Sequence, residues 1–331
     1  MTKPNKISAL KAKAKNENGI ALLAVLWLIV LLMALASDFA FSMKTEVNAT
    51  RNYKNDIEAY FLAKSGVNLA LAEIIRPALY HSKKQDLGFI IGMPLEIQEG
   101  AQPAEGGENE EPSYEEPNRE DIEIGSGTVS YTIEDENGKI DINHASRVTL
   151  VKVLAQAGVP IGQERDIIAD SILDWIDPND THRLNGAESD YYKTLNPPYR
   201  AKNGPLETIE EMLKIKGITP ELFYGSDEDE EGNAGLAEFF TTYKVKQVNP
   251  NTMSPAVLPV FYNQEIVQEV ASAIETKNRY TDTTSTHFRI TSTGKIGNDT
   301  EHTIVAVFEK NIKKGRPYVT ALYWDDNHYE K

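Results

Sequence analysis

Hydrophobic positions are unevenly distributed along this chain. The stretch from Met1 to Gly19 is polar and basic, with Lys3, Lys6, Lys11, Lys13 and Lys15 against Glu17. At Ile20 the pattern changes to an unbroken uncharged run, IALLAVLWLIVLLMALA, ending at Ala36. Phe39, Ala40, Phe41 and Met43 extend it past Ser37 and Asp38. At about 1.5 Å per helical residue, this segment nearly crosses a hydrocarbon core of about 30 Å. From Asp56 to Ile75, apolar residues recur at steps of three and four (Tyr60, Ala63, Val67, Ala70, Leu71, Ile74), the period of one helix face. A single helix from Ile20 to Arg76, stopped by Pro77, is predicted; it would be about 85 Å long.

Period-two patterning follows. Thr128–Ile133 reads as a strand, Asn137-Gly138 as a hairpin turn, and Lys139–Ile142 as the returning strand. Three more strands are predicted at His287–Thr293, His302–Glu309 and Tyr318–Trp324. Between the two β groups, residues 143–280 read as helical. Within them, Asn143-His-Ala-Ser146 with Leu150 is echoed by Asn251-Thr-Met-Ser254 with Leu258. Alanine-containing helices follow at Ile167–Trp175 and Ile266–Lys277, so two small units with similar capping are expected. Leu206–Gly225 has the pattern of a helix-hairpin-helix, with Pro220 opening its second helix. Residues 101–120 are acidic and rich in Pro and Gly, and read as an exposed loop.

Composition narrows the function. The net charge of −16 opposes nucleic acid as a partner, since phosphates must be met by clustered Lys and Arg. The tract Asp227–Glu231 would likewise repel a phosphate from the helix-hairpin-helix. With no cysteine, disulfides and zinc-thiolate sites are excluded. Leading lysines place the N-terminus in the cytoplasm and the residues after about 43 outside it. No nucleophile elbow, metalloprotease helix or phosphate loop occurs, and the six His are scattered; no catalytic residue is expected and the chain reads as a non-enzyme.

The densest polar chemistry is DWIDPNDTHRLNGAESDYY at 174–192. Asp174, Asp177, Asp180, Glu188 and Asp190 crowd five carboxylates into this one stretch, where they repel unless compensated. Hard oxygen donors on an irregular loop suit calcium. The segment from Asp177 to Glu188 carries oxygen-bearing side chains at its positions 1, 3, 5, 9 and 12, but His182 stands where an EF-hand needs Gly. Asp177, Asp180, Glu188 and Asp190 are the candidate calcium ligands. Asp174 is alternatively a helix cap or a partner of Arg183, and Trp175, Tyr191 and Tyr192 are core candidates.

The polar leader ending at Gly19 before the apolar run resembles a type IV prepilin leader. That resemblance implies cleavage by a prepilin peptidase between Gly19 and Ile20, and methylation of the Ile20 amine. The fifth mature position, a Glu in most of those proteins, is Ala24 here; K-type minor pseudopilins of type II secretion systems characteristically lack that Glu. The segments 174–192, 203–213 and 216–225 also resemble the K-type signature.

The resemblance implies an α+β, pilin-like fold: a long N-terminal helix on an antiparallel sheet, interrupted by a large helical insertion of helix-hairpin-helix or SAM-like type. Its parts would be the leader 1–19, the transmembrane part 20–43, a first pilin-like part 44–142, the insertion 143–280 and a second pilin-like part 281–331. It implies a single-pass inner-membrane protein with a periplasmic head, capping the pseudopilus tip with I-type and J-type minor pseudopilins and helping to start its growth. Other pseudopilins, secreted substrates and the secretin are further implied contacts, and calcium is an implied ion. A membrane-anchored helix-hairpin-helix DNA-binding protein of competence-receptor type is the alternative.

Overall fold

The computed structural model describes residues 6–75, 79–83, 86–90, 118–225, 234–245, 247–275, 280–281, 283–297 and 300–326. The acidic stretch 101–117 and the tract Asp227–Glu231 lie outside them. The chain forms two compact units, Met1–Glu58 and Ala59–Lys331. The element order is α1 (Lys6–Ile75), β1 (Leu79–Lys83), β2 (Asp86–Ile90), β3 (Ile122–Ile124), β4 (Gly127–Asp135), β5 (Ile140–Asp141), α2 (Arg147–Gln156), α3 (Gln163–Ile176) and α4 (Ser189–Tyr192). It continues with α5 (Pro220–Tyr224), α6 (Leu236–Phe239), β6 (Phe240–Thr241), α7 (Leu258–Phe261), α8 (Gln264–Glu275), β7 (His287–Ile296), β8 (Thr300–Lys313) and β9 (Arg316–Asp325). The first helix therefore starts inside the polar leader rather than at Ile20, and Arg76 lies beyond its described end.

In the second unit an antiparallel sheet of order β3-β4-β7-β8-β9 packs against residues 59–75 of α1. The face expected from the period is the buried one: Ala63, Val67, Ala70 and Ile74 are covered, and Tyr60 and Leu71 pack partly against the same core. Small residues at Ala59, Ala63, Gly66 and Ala70 let this helix sit very close to β7. A Cβ on Gly294 would fall 2.5 Å from the Ala63 backbone nitrogen and closer still to the Ala59 carbonyl. The Ser292 hydroxyl donates to the Ala63 carbonyl at 2.8 Å, tying the strand to the helix.

β4 and β7 pair with each other although the whole segment 136–286 lies between them in sequence, so this helical segment emerges from the sheet and returns to the neighbouring strand. It has its own core, centred on Leu150, Leu154, Ile168, Ile172, Trp175, Tyr192, Met212 and Phe223.

Two sequence expectations fail here. Asn137-Gly138 is not a hairpin turn, and Lys139–Ile142 does not return along β4. Neither residue has a left-handed backbone, which a two-residue hairpin turn needs. Glu136–Gly138 is a 3-10 turn, and Ile140–Asp141 pairs in parallel with Phe240–Thr241. The reason is tertiary. The Asn137 side chain is drawn inward, where its Oδ1 accepts the Thr286 and His287 N–H groups and its Nδ2 donates to the Gln247 carbonyl. The two-residue hairpin turn with both backbones left-handed is instead at Lys314-Gly315, between β8 and β9. Similarly, the first helix of the expected helix-hairpin-helix is a 3-10 segment, Ile209–Lys214; the Gly217 turn and the Pro220 start are as read.

The internal echo is present in three dimensions. Asp141 and Asn249 each accept the N–H two residues on, forming paired turns that present Asn143 and Asn251. The Asn143 amide bridges Leu206 N–H, Leu206 O and Thr242 O; the Asn251 amide bridges the N–H groups of Tyr280 and Thr281 and the Thr281 carbonyl. Ser146 then caps α2 through Thr149 N–H, and Ser254 meets Val257 N–H.

Candidate functional site

Two features carry the chemistry. The first is α1: its described stretch from Gly19 to Ile75 is the one helix, among the described residues, that is long and apolar enough to cross a membrane. Ile20, Ala24 and the residues through Met43 are exposed along it, as a lipid-facing surface requires. Gly19 has no neighbouring atom within 4 Å of where a Cβ would stand, so the junction is sterically open.

The second is the acidic loop. α3 ends at Ile176 because Pro178 cannot continue it. Asp174, on its last turn, is fully buried and accepts the Arg183 N–H and guanidinium, the latter at 2.6 Å. The same guanidinium nitrogen reaches Asp177 at 2.6 Å, so one cation answers two carboxylates. Asp177 also accepts from the Asn179 backbone and side chain. Asp180 is exposed and accepts from Asn203 at 3.1 Å and from the Ser189 hydroxyl; these hydrogen bonds hold its carboxyl below the usual range. Asp190 is exposed and accepts the Tyr191 N–H. Gly186 lets the loop close over Asp174, whose carboxylate occupies the space of a Cβ.

Glu188 differs from the rest. It is 2% exposed, and neither carboxylate oxygen has a hydrogen-bond partner. Burial, followed by the charges of Asp174, Asp177 and Asp180, pushes its pKa up to about 7. Beside Asp180, the Asn203 Oδ1 is a further buried oxygen without a partner. Asn203 was not among the residues singled out as ligands; its signal was the Asn203-Gly204 pair, and its backbone is left-handed (φ 49°). No three His, Asp or Glu side chains among the described residues converge as a ready metal cluster. The loop nevertheless leaves buried oxygens unpartnered, a donor set that fits a hard cation. Trp175 and Tyr192 are core, stacked edge-on at 5.0 Å with Tyr199 alongside.

The loop lies inside a recognisable region. Residues 131–224 match the model of the family described as Type II secretion system (T2SS), protein K. The chain is 24% identical over 221 residues to the putative type II secretion system protein K of Escherichia coli (strain K12), covering 63% of this chain and 60% of that relative. It is 27% identical over 128 residues to type II secretion system protein K of Pectobacterium carotovorum subsp. carotovorum, 36% of either chain. Among solved structures, the GspK-GspI-GspJ complex from the enterotoxigenic Escherichia coli type 2 secretion system matches with a TM-score of 0.48 at 18% identity, covering 62% of this chain and 82% of that one.

These sequence matches make the chain similar to components of type II secretion systems, and over residues 131–224 to the protein K family of those systems. The chain spans about 60% of the length of the first curated relative it matches. The DNA-binding alternative gains no support: the matched family is a secretion component, and α5, which follows the hairpin, carries Glu221 in its first turn, where a phosphate would be repelled.

Proposed function

We propose that this protein is a K-type minor pseudopilin, a non-enzymatic component that assembles at the tip of the type II pseudopilus. The observation carrying this reading is the protein K match over residues 131–224 in a chain that also has one membrane-length helix near its N-terminus. In this reading the sheet and residues 59–75 are a pilin-like head, and the helical segment between β4 and β7 is the insertion that widens it. The apolar run anchors the chain once in the inner membrane, and the second unit lies in the periplasm. I-type and J-type minor pseudopilins are the partners, packing along the exposed part of α1, where Ala21, Ala24, Ala34 and Ala40 permit close approach. A bulky head obstructs further stacking, which suits a cap from which growth starts; contacts with secreted substrates and the secretin follow from that place.

The test begins at the N-terminus. Co-expressed with a prepilin peptidase, the chain should give a product starting at Ile20, with a methylated amine, and without the peptidase the N-terminus should stay intact. Intact mass spectrometry reads both; the same N-terminus in the two strains would sink the pseudopilin reading.

Calcium is proposed for the acidic loop, held by Asp177, Asp180, Glu188 and Asp190 with the Asn203 oxygen adjacent. The ion supplies positive charge to crowded carboxylates and fixes the loop. Adding calcium chloride at about 1 mM should raise the melting midpoint by several degrees, as expected when a ligand binds only the folded state. The Glu188→Gln variant should melt at the calcium-free midpoint or above and show no calcium shift. An unchanged midpoint in the wild type on calcium addition or chelation counts against the site.

A further inference from the structure

The sheet ends on β9, whose outer edge is paired with no other strand among the described residues. From Tyr318 to Trp324 that edge reads YVTALYW, with no charge, proline or glycine. Tyr318, Leu322, Tyr323 and Trp324 are each at least 37% exposed. An open row of N–H and C=O groups flanked by such side chains is a template for another strand. Proteins ordinarily blunt such an edge with lysine or proline inside it, because an uncovered one aggregates. Here the charged and proline residues, Arg316, Pro317 and Asp325, stand only at its ends, and inside it a bulge at Leu322 shifts the register against β8 by one residue.

The charge beside the edge is directional. Lys313, Lys314 and Arg316 are exposed around the β8–β9 turn and form no ion pair among the described residues, in a chain of net charge −16. The other end carries Asp325 and Asp326. A second copy pairing antiparallel through β9 would match the two ends, Arg316 against Asp325. Each basic turn would then meet only Asp325 and Asp326, and Asp325 is already hydrogen-bonded by Tyr323 of its own chain, so a second copy leaves most of the basic turn unanswered.

We infer that β9 is a docking edge for an extended segment of a different protein, added antiparallel as a sixth strand, with aliphatic or β-branched residues along Tyr318–Trp324 and acidic residues at its C-terminal end against Lys313, Lys314 and Arg316. Main-chain hydrogen bonds hold such a strand and the basic turn sets its direction and register. The pseudopilin reading is not needed for this edge to bind.

Two fluorescein-labelled peptides test it on the full-length chain in detergent: TVTVTVTEE and its basic counterpart TVTVTVTKK. The acidic peptide should bind in fluorescence anisotropy and protect the β9 amides from hydrogen exchange. Charge reversal by K313E/K314E/R316E should weaken it at least tenfold and favour the basic peptide, and Leu322→Lys should weaken both. Every one of these positions is exposed, so folding is not at stake. Equal affinity for the two peptides, binding by neither, or binding without β9 protection overturns the inference. So does β9 protection that grows with protein concentration alone, which would mark a second copy as the occupant.

Discussion

Replacing Asn137 with alanine is expected to cost about 3 kcal/mol of folding stability, since it would leave one buried and two partly buried hydrogen bonds to the backbone unmade, at about 1–3 kcal/mol for a buried group. The backbone groups are the Thr286 and His287 N–H and the Gln247 carbonyl. The residue stands where the chain leaves the sheet after β4, and its partners include the residues by which the chain returns to β7. Asp135 completes the junction, accepting from Thr252 at 2.6 Å, from Asn137 N–H at 2.8 Å and from Ser285. Asn137→Asp keeps the acceptor but loses the donor and buries a third carboxylate beside Asp135 and Glu136, so near neutral pH it should cost at least as much. Urea unfolding followed through Trp175 in the helical core and Trp324 on the sheet would read both halves of the unit. A loss under about 1 kcal/mol for the alanine variant would show that the junction does not depend on this side chain.

The same junction predicts a pH dependence of definite sign. Burial pushes Asp135 up to about 6 despite its donors. A folded pKa above the unfolded value of 3.8 means the contribution is fully present below pH 3.8 and is lost as pH rises through 6. Neighbouring Glu136 is fully buried too, but Arg289 and Lys139 hold it down at about 2, so its contribution is present above 4.5 and is lost progressively as pH falls from there through 2. Between about pH 5 and 6 the Asp135 contribution therefore changes while that of Glu136 does not. Its slope is at most about 1.4 kcal/mol per pH unit, and Asp135→Asn should remove it.

The second large effect is expected from Gly294→Ala, a loss of about 3 kcal/mol. The added methyl would meet the backbone of Ala59 and Ala63, not the end of a flexible side chain, so the strand and helix must part. Parting them strains the Ser292–Ala63 hydrogen bond and uncovers Val67 and Val129. Hydrogen exchange should speed up along 59–75 and β7, while the helical core around Trp175 keeps its protection. Gly204→Ala is the control: no atom lies closer than 3.8 Å to its added Cβ and its backbone is not left-handed, so it should be near neutral. Equal melting of the two variants would refute the close-packing argument.

Much of this architecture was legible in local pattern. An uncharged apolar run, a helix face with period 3.6 and alternating strands are set by which side chains leave water, and that depends little on distant residues. The paired Asn-x-x-Ser turns were legible too, because their first hydrogen bonds close within two or three residues. In the acidic loop, sequence exposed the crowding of carboxylates and the Asp174–Arg183 pair.

What sequence could not carry was where each buried polar group would find its partner. Asn137 has the residue type and the glycine neighbour of a hairpin turn, yet its partners lie far along the chain, and once Thr286, His287 and Gln247 claim its amide the hairpin has no competing gain. Of five similar carboxylates, packing buried Asp174 and Glu188, and of these two only Glu188 is left without a hydrogen-bond partner. Gly294 reads as a strand glycine until α1 lies across it. Composition and period determined the elements and the membrane-length helix; the tertiary structure decided their pairing, because long-range hydrogen bonds and desolvation are properties of neighbours in space.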